Sequence, residues 1–308
     1  MLTSFFGKSN PVNYLLLGIF IFLGYTIGSY QDFLKEFSII TLAEHILGIG
    51  ICIISMLLVD FIIRKNALTK ANTFGILLFS CFLLMFPIIF SELDILLSNI
   101  FLLFALRRIL SLKSEKNLEK KVLDASIWIA VAMFFYFYAC LFFGILFIAI
   151  LRKKHTTYKH LLIPFVGLAG VFTLATSYHF MVYDSFDWFL HMEKTPGLDY
   201  STYNSAGILI PLTVVATLLV WTGVHRIFTL SSVSKKDKPN YLLLMVIASV
   251  SIVLVLTSPD KKGGEIIFLL APTAIIVAGY IESSKEFWFK EMVLWLTLLL
   301  PILLIFIR

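Results

Sequence analysis

The residues whose types and spacing could do chemistry are acids and lysines lying between long apolar stretches. Glu92 and Asp94 stand two apart in a short polar break. On a helix such a pair would not share a face, but in a turn both carboxyls can point at one ligand or take a proton from it. Asp32, flanked by Gln31, Lys35 and Glu36, is a second acidic position, and its plain alternative is a polar helix cap. The run HFMVYDSFDWFLHMEKTPGLDYSTYNS (179–205) spaces Asp184, Asp187 and His191 at i, i+3 and i+7. A short helix there would set two carboxylates and an imidazole on one face, able to accept protons or a divalent cation. The same run carries Phe186, Trp188 and Phe189, so an interfacial amphipathic helix with its aromatics among lipid headgroups is the preferred reading. Lys261 and Lys262 precede Gly263 and Gly264 in SPDKKGGEIIFLLAP. Two lysines and flexible glycines at a helix start suit a phosphate or pyrophosphate, the alternative being a charged turn balanced by Asp260 and Glu265.

What must position these residues is a set of membrane helices. Hydrophobic residues make up 59% and charged ones 14% of the 308 positions, with a mean hydropathy of +0.94. Soluble domains carry nearly twice that share of charge. Long apolar runs without strand alternation satisfy their backbone amides only as helices, so an all-α polytopic bundle is predicted, one domain over residues 1–308. Spans are expected near 13–30, 42–63, 73–90, 95–112, 161–178, 206–228, 241–258, 265–281 and 287–307. The stretch 122–151 is too long for one span and basic at both flanks, with Lys120 and Lys121 before it and Arg152 and Lys153 after it. If basic loops are retained in the cytoplasm, it goes out and back as two short spans meeting near Tyr136–Tyr138, which makes eleven in all.

With the amino terminus inside, twenty of the 25 basic residues fall on the inner side, and only Lys35, Lys194, Lys261, Lys262 and Arg308 fall outside. This predicts a multi-pass membrane protein with a cytoplasmic amino terminus and its acidic loops on the outer face. The basic pI of 9.1 is explained by that retention, so no nucleic-acid partner is expected. Met1–Asn13 has no small-residue cleavage site after the first apolar run, which reads as a retained helix. Cys52, Cys81 and Cys140 each lie in an apolar run and read as small hydrophobes. No cofactor is predicted and no metal ligand set is assigned. Inside the spans, Asp60 and Arg64 at i, i+4 read as a surface ion pair, and Asn99 as a hydrogen-bonding contact to a neighbouring helix. Arg107, Arg108, His225 and Arg226 end their spans and are expected to snorkel to lipid phosphates.

The order of elements resembles the GT-C superfamily of polytopic glycosyltransferases, which use polyprenyl-phosphate sugars at the outer membrane face. The features that carry the likeness are an acidic first outer loop, a second acidic turn, a span ending in Arg-Arg (LLSNIFLLFALRRI), an out-and-back hairpin, and a Lys-rich loop leading into EIIFLLAPTAIIVAGY. The resemblance implies Asp32, Glu92 and Asp94 as catalytic acids and Lys261 and Lys262 as contacts to the donor phosphate. The carboxylate would serve as general base on an acceptor hydroxyl. The first outer loop, about 31–41, is shorter than that family's. The wording FSELDILLSNIFLLFALRRILSLKSEKNLEKKVLDASIWIA also resembles an uncharacterised bacterial inner-membrane family of about this length. The expected function is therefore a GT-C-like protein acting on a lipid-linked substrate, with membrane lipid and a lipid-linked sugar as partners. A non-catalytic subunit of an envelope or protein-export complex is the alternative, in which 30 phenylalanines and Gly24, Gly28, Gly48 and Gly50 would pack against other membrane subunits. A transporter comes third.

Overall fold

Helix starts follow their capping residues. After a short α1 (Leu2–Phe6), the Val12 N–H donates to Asn10 Oδ1 at 3.1 Å, and Pro11 opens α2 (Pro11–Gly28). Ser38 and Thr41 form a reciprocal capping box on α3 (Ile39–Asn66), which ends at Ala67 in the left-handed region. The computed structural model describes residues 1–30, 38–114, 116–153, 156–190, 192, 195–284 and 286–307. It continues with α4 (Phe74–Leu84), α5 (Leu93–Ser111), α6 (Leu118–Phe135), α7 (Phe142–Leu151), α8 (Tyr158–Tyr183), α9 (Ala206–Phe228), α10 (Lys238–Thr257), α11 (Ile267–Ser283) and α12 (Phe287–Ile307). No strand occurs among the described residues, and the chain is all-α.

Among the described residues, seven helical segments are long and apolar enough to cross a membrane: Pro11–Gly28, Ile39–Asn66, Tyr158–Tyr183, Ala206–Ser231, Lys238–Thr257, Gly264–Ser283 and Phe287–Ile305. Phe74–Leu84 and Phe137–Leu151 are apolar but shorter. These lengths fit a membrane protein. The stretch 122–151 is two helices, because Tyr136 adopts extended backbone (φ −145°, ψ 106°) and a single 3-10 turn, Phe137–Leu141, follows before α7. Lys153, past the end of α7, is within electrostatic reach of Lys121 at the start of α6. Both basic flanks therefore share one end of the bundle, as the charge pattern predicts.

The centre is built from α4 and α11. Every residue of α4 is buried, as is α11 from Ile267 to Ala278, which is what a helix apolar on all sides requires. At the periphery, α8 buries only Pro164 and Gly167. Of the glycines expected at packing positions, Gly24, Gly28 and Gly48 lie against Leu84, Pro87 and Tyr25, whereas Gly50 meets nothing.

At one end, charges pair within the protein. Arg64 meets Asp60 at 2.7 Å as predicted, Lys113 meets Asp237 at 2.6 Å, and Lys70 faces Glu282 at 3.8 Å. Arg107 and Arg108 depart from the snorkelling expectation: Arg108 bonds Asp124 at 2.7 Å, and the Arg107 guanidinium stands 4.5 Å from the centre of the Phe61 ring. Partners one helix away claim them before lipid can. Asn99 also departs, since its Nδ2 is buried without a partner, and the neighbouring Ser98 makes the interhelical bond instead, to Ala132 O at 3.0 Å.

Candidate functional site

At the opposite end, where α9 and α11 begin, acids gather around one turn. Glu92 follows the 3-10 turn Pro87–Ser91 and precedes α5, its N–H donating to Ile89 O at 3.3 Å. Its backbone is not helical (φ −118°, ψ 78°) and its side chain makes no capping bond, so the carboxyl is free to turn inward. It lies half-buried against Gly264, and its Oε1 is buried with no hydrogen-bond partner. Gly263, at φ +105°, makes the tight turn that brings Gly264 there, a conformation that favours glycine.

Directly after this turn stands Glu265, fully buried. One oxygen accepts the Gly263 N–H at 3.0 Å, and the other accepts the hydroxyl of Tyr203, which sits on the turn Ser201–Asn204. Tyr136, at the break between α6 and α7, shares a 2.5 Å hydrogen bond with Ser258 Oγ and stacks on Phe268 with ring centres 5.4 Å apart. Burial first, and the facing carboxyls second, raise the hydroxyl pKa of both tyrosines, holding them as neutral donors.

Glu92 itself is pushed up from 4.5 to about 7. Burial is the main cause; Glu265, Asp260 and Asp94 add to it, and Lys262 works against them. Near neutral pH this carboxyl is shared between its acid and base forms, the state a proton-transfer group needs. Alongside lies an apolar groove of about 450 Å³ between α2, the end of α4 and α12, lined by Gly24, Gly28, Pro87, Ile88, Pro301 and Ile305. Ile88 also neighbours the Gly263 turn, so this side chain borders both the groove and the turn that carries the acidic cluster.

The sequence-predicted site residues divide sharply. Glu92 is at the centre, and Asp94 stands exposed in the first turn of α5 within electrostatic reach of it. Asp32 and His191 lie outside the described residues. The expected helix carrying Asp184, Asp187 and His191 is corrected: Asp184 takes a left-handed conformation (φ 51°) that ends α8, and the described residues from 184 to 190 form bends and turns. Aromatic packing wins there, with the Trp188 Nε1–H donating to Thr176 Oγ1 at 3.1 Å and the Phe172 ring 5.5 Å from the rings of both Trp188 and Phe189. Lys261 is placed differently. It is buried, donates to Leu256 O at 2.8 Å and Ser258 O at 3.0 Å, and lies over the Tyr200 ring, so it holds the loop. Lys262 remains exposed, 3.5 Å from Asp260.

Glu265, Tyr203 and Tyr136 are the members that sequence reasoning missed. The available signal was Glu265 itself, an acid at the head of an apolar span, where burial demands a partner. Among the described residues no cluster of three His, Cys, Asp or Glu is placed to hold a metal ion.

A family model described as a family of unknown function (DUF6427) matches residues 1–308. No curated protein and no solved structure matches the chain.

Proposed function

The chain belongs to the DUF6427 family of unknown function, and we propose that it is an eleven-span protein of a bacterial inner membrane, acting on a lipid-linked substrate at the outer face. In this orientation the amino terminus is cytoplasmic and the Glu92 end faces outward. The reaction class is GT-C-like glycosyl transfer from a polyprenyl phosphate. An acceptor hydroxyl gives its proton to Glu92 as its oxygen bonds the anomeric carbon. The bond from that carbon to the phosphate oxygen breaks, and the polyprenyl phosphate leaves with the electron pair. Lys262 meets that charge, with Asp94 and Asp32 as the further acids of the reaction.

The observation that carries this reading is a carboxyl with a pKa of about 7 and an unpaired buried oxygen, at a turn that Ile88 of an apolar groove borders. A proton acceptor beside a slot for a hydrocarbon chain suits a substrate that is polar at one end and lipid at the other.

The test is reconstitution into nanodiscs containing polyprenyl phosphate, with bound lipid measured by native mass spectrometry. Polyprenyl phosphate retained by the wild type and by Glu92→Gln alike, but displaced by Gly28→Leu in the groove, is the expected result. Recovery of a second membrane protein in fixed ratio, with no polyprenyl lipid retained, would overturn it in favour of a non-catalytic subunit.

A further inference from the structure

A second polar site stands at the other end of the bundle, around Arg226. The residue closes the last turn of α9 and was expected to snorkel into lipid, yet it is only 5% exposed. A buried guanidinium is costly unless charge and hydrogen bonds answer it, and here the answer is partial. Nε donates to Tyr241 O at 3.3 Å, and the guanidinium carbon lies 3.5 Å from the centre of the Tyr241 ring. Among the described residues no carboxylate pairs with it, and neither Nη atom has an acceptor. Glu282, the nearest carboxylate on the cavity wall, is engaged elsewhere: it accepts from the Lys70 N–H at 2.8 Å and from Asn72 Nδ2 at 3.2 Å.

The unanswered side of Arg226 lines a cavity of about 270 Å³, together with His225, Thr229, Ser232 and Tyr241. Gly279 keeps it open, since a Cβ built there would stand 3.5 Å from Nη1 and any longer side chain would cover the guanidinium. Next to this cavity, an apolar groove of about 220 Å³ runs between α9, α11 and α12, past Leu218, Trp221, Phe289 and Met292. Thr222 and Tyr280 belong to both walls, so the charged cavity and the apolar groove are neighbours.

We propose that this composite site binds an anionic phospholipid, with its phosphate on Arg226 and an acyl chain in the groove beyond Thr222 and Tyr280. A guanidinium presents a planar fork that fits two phosphate oxygens, and it keeps its charge when buried. Thr229, Ser232 and Tyr241 line the same cavity, but Thr229 and Ser232 donate to backbone carbonyls and Tyr241 bonds Thr229, so the guanidinium carries the contact to the phosphate. The groove decides between two sources of the same phosphate chemistry. A free phosphate would use the cavity alone, whereas a phospholipid uses both.

The experiment uses the full chain in nanodiscs of mixed phosphatidylglycerol and phosphatidylcholine, with retained lipid read by native mass spectrometry and inorganic phosphate as competitor. Retention of phosphatidylglycerol over phosphatidylcholine by roughly tenfold or more is expected, the scale of a charge-assisted hydrogen-bonded contact. Arg226→Met should abolish the preference. Ser232→Glu, at the exposed rim, should reduce it while leaving thermal unfolding unchanged, which keeps the test decisive where Arg226→Met does not fold. Trp221→Ala should weaken lipid retention by shortening the groove wall. Displacement of the lipid by inorganic phosphate with no effect of Trp221→Ala would overturn the lipid assignment in favour of a free anion. Wild-type preference in Ser232→Glu would overturn the site altogether. Glu92→Gln should leave the lipid preference unchanged, so the outcome is independent of the function proposed for the opposite end.

Discussion

Gly264 and Glu92 compete for one space: a Cβ placed on Gly264 would stand 3.0 Å from the Glu92 carboxyl carbon and 3.2 Å from each of its oxygens. The missing side chain is what lets the acid lie inward. Gly264→Ala should therefore push the carboxyl outward and destabilise the protein by about 1–3 kcal/mol, the usual scale of overpacking. Combining it with Glu92→Ala should recover most of that loss, because the second change removes the colliding group. Thermal unfolding of the two single variants and the double variant in detergent checks this, and additive losses would show that the two residues do not share the space.

The Glu92 carboxyl gives the protein a stability that depends on pH in a particular direction. Its ordinary value is 4.5 and its folded value about 7, so between those limits the folded protein holds more proton than the unfolded chain. Stability from this group is fully present below 4.5 and is lost as pH rises through about 7. Glu92→Gln cannot titrate and should flatten that stretch of the melting curve. A wild-type melting temperature that rises over the same window, relative to Glu92→Gln, would contradict the assignment.

Tyr203 and Glu265 make the other half of the cluster, with the Lys261 charge within electrostatic reach of the carboxyl. Tyr203→Phe removes the one side-chain hydroxyl that donates to this fully buried carboxyl, leaving it backbone N–H donors and the more distant Lys261 charge. The expected cost is about 1–3 kcal/mol, that of a buried acceptor losing a donor. Glu265→Gln in the Tyr203→Phe background should restore part of it, since a neutral amide tolerates the loss better. Chemical unfolding of both variants is the measurement.

How much of this was legible beforehand depends on the range over which the signal acts. The break at Tyr136 could be read from charge, because Lys121 and Lys153 at either end of one apolar stretch demand a return to the same side. The pair Asp60–Arg64 is local and was equally readable. Arg226 was not: its own surroundings in sequence are those of any helix-end arginine, and it is buried by Tyr241 and Gly279 on other helices. Glu265 is similar, since its partner Tyr203 lies 62 residues away. The Asp184 to His191 spacing misled for the opposite reason. A periodicity of charges was visible, but Trp188 and Phe189 pack on Phe172 of α8 and the backbone there is not helical.

Adjacent lysines with different roles allow the last test. Lys261 is spent on two backbone carbonyls and the Tyr200 ring, whereas Lys262 is exposed beside Asp260 and acts on Glu92 by charge alone. Lys261→Met should cost about 1–3 kcal/mol of stability by removing the charged donor that those carbonyls share with the Tyr200 hydroxyl and the Gly197 N–H. Lys262→Met should change stability by less than about 0.5 kcal/mol, as exposed substitutions do. Its effect should appear instead in titration. Lys262 holds the Glu92 pKa down against burial and its acidic neighbours, so removing it should move that pKa above 7, and the pH dependence of unfolding with it. Thermal unfolding of both variants across pH separates the two. A shifted profile in Lys261→Met but not in Lys262→Met would exchange the roles and return Lys261 to the site.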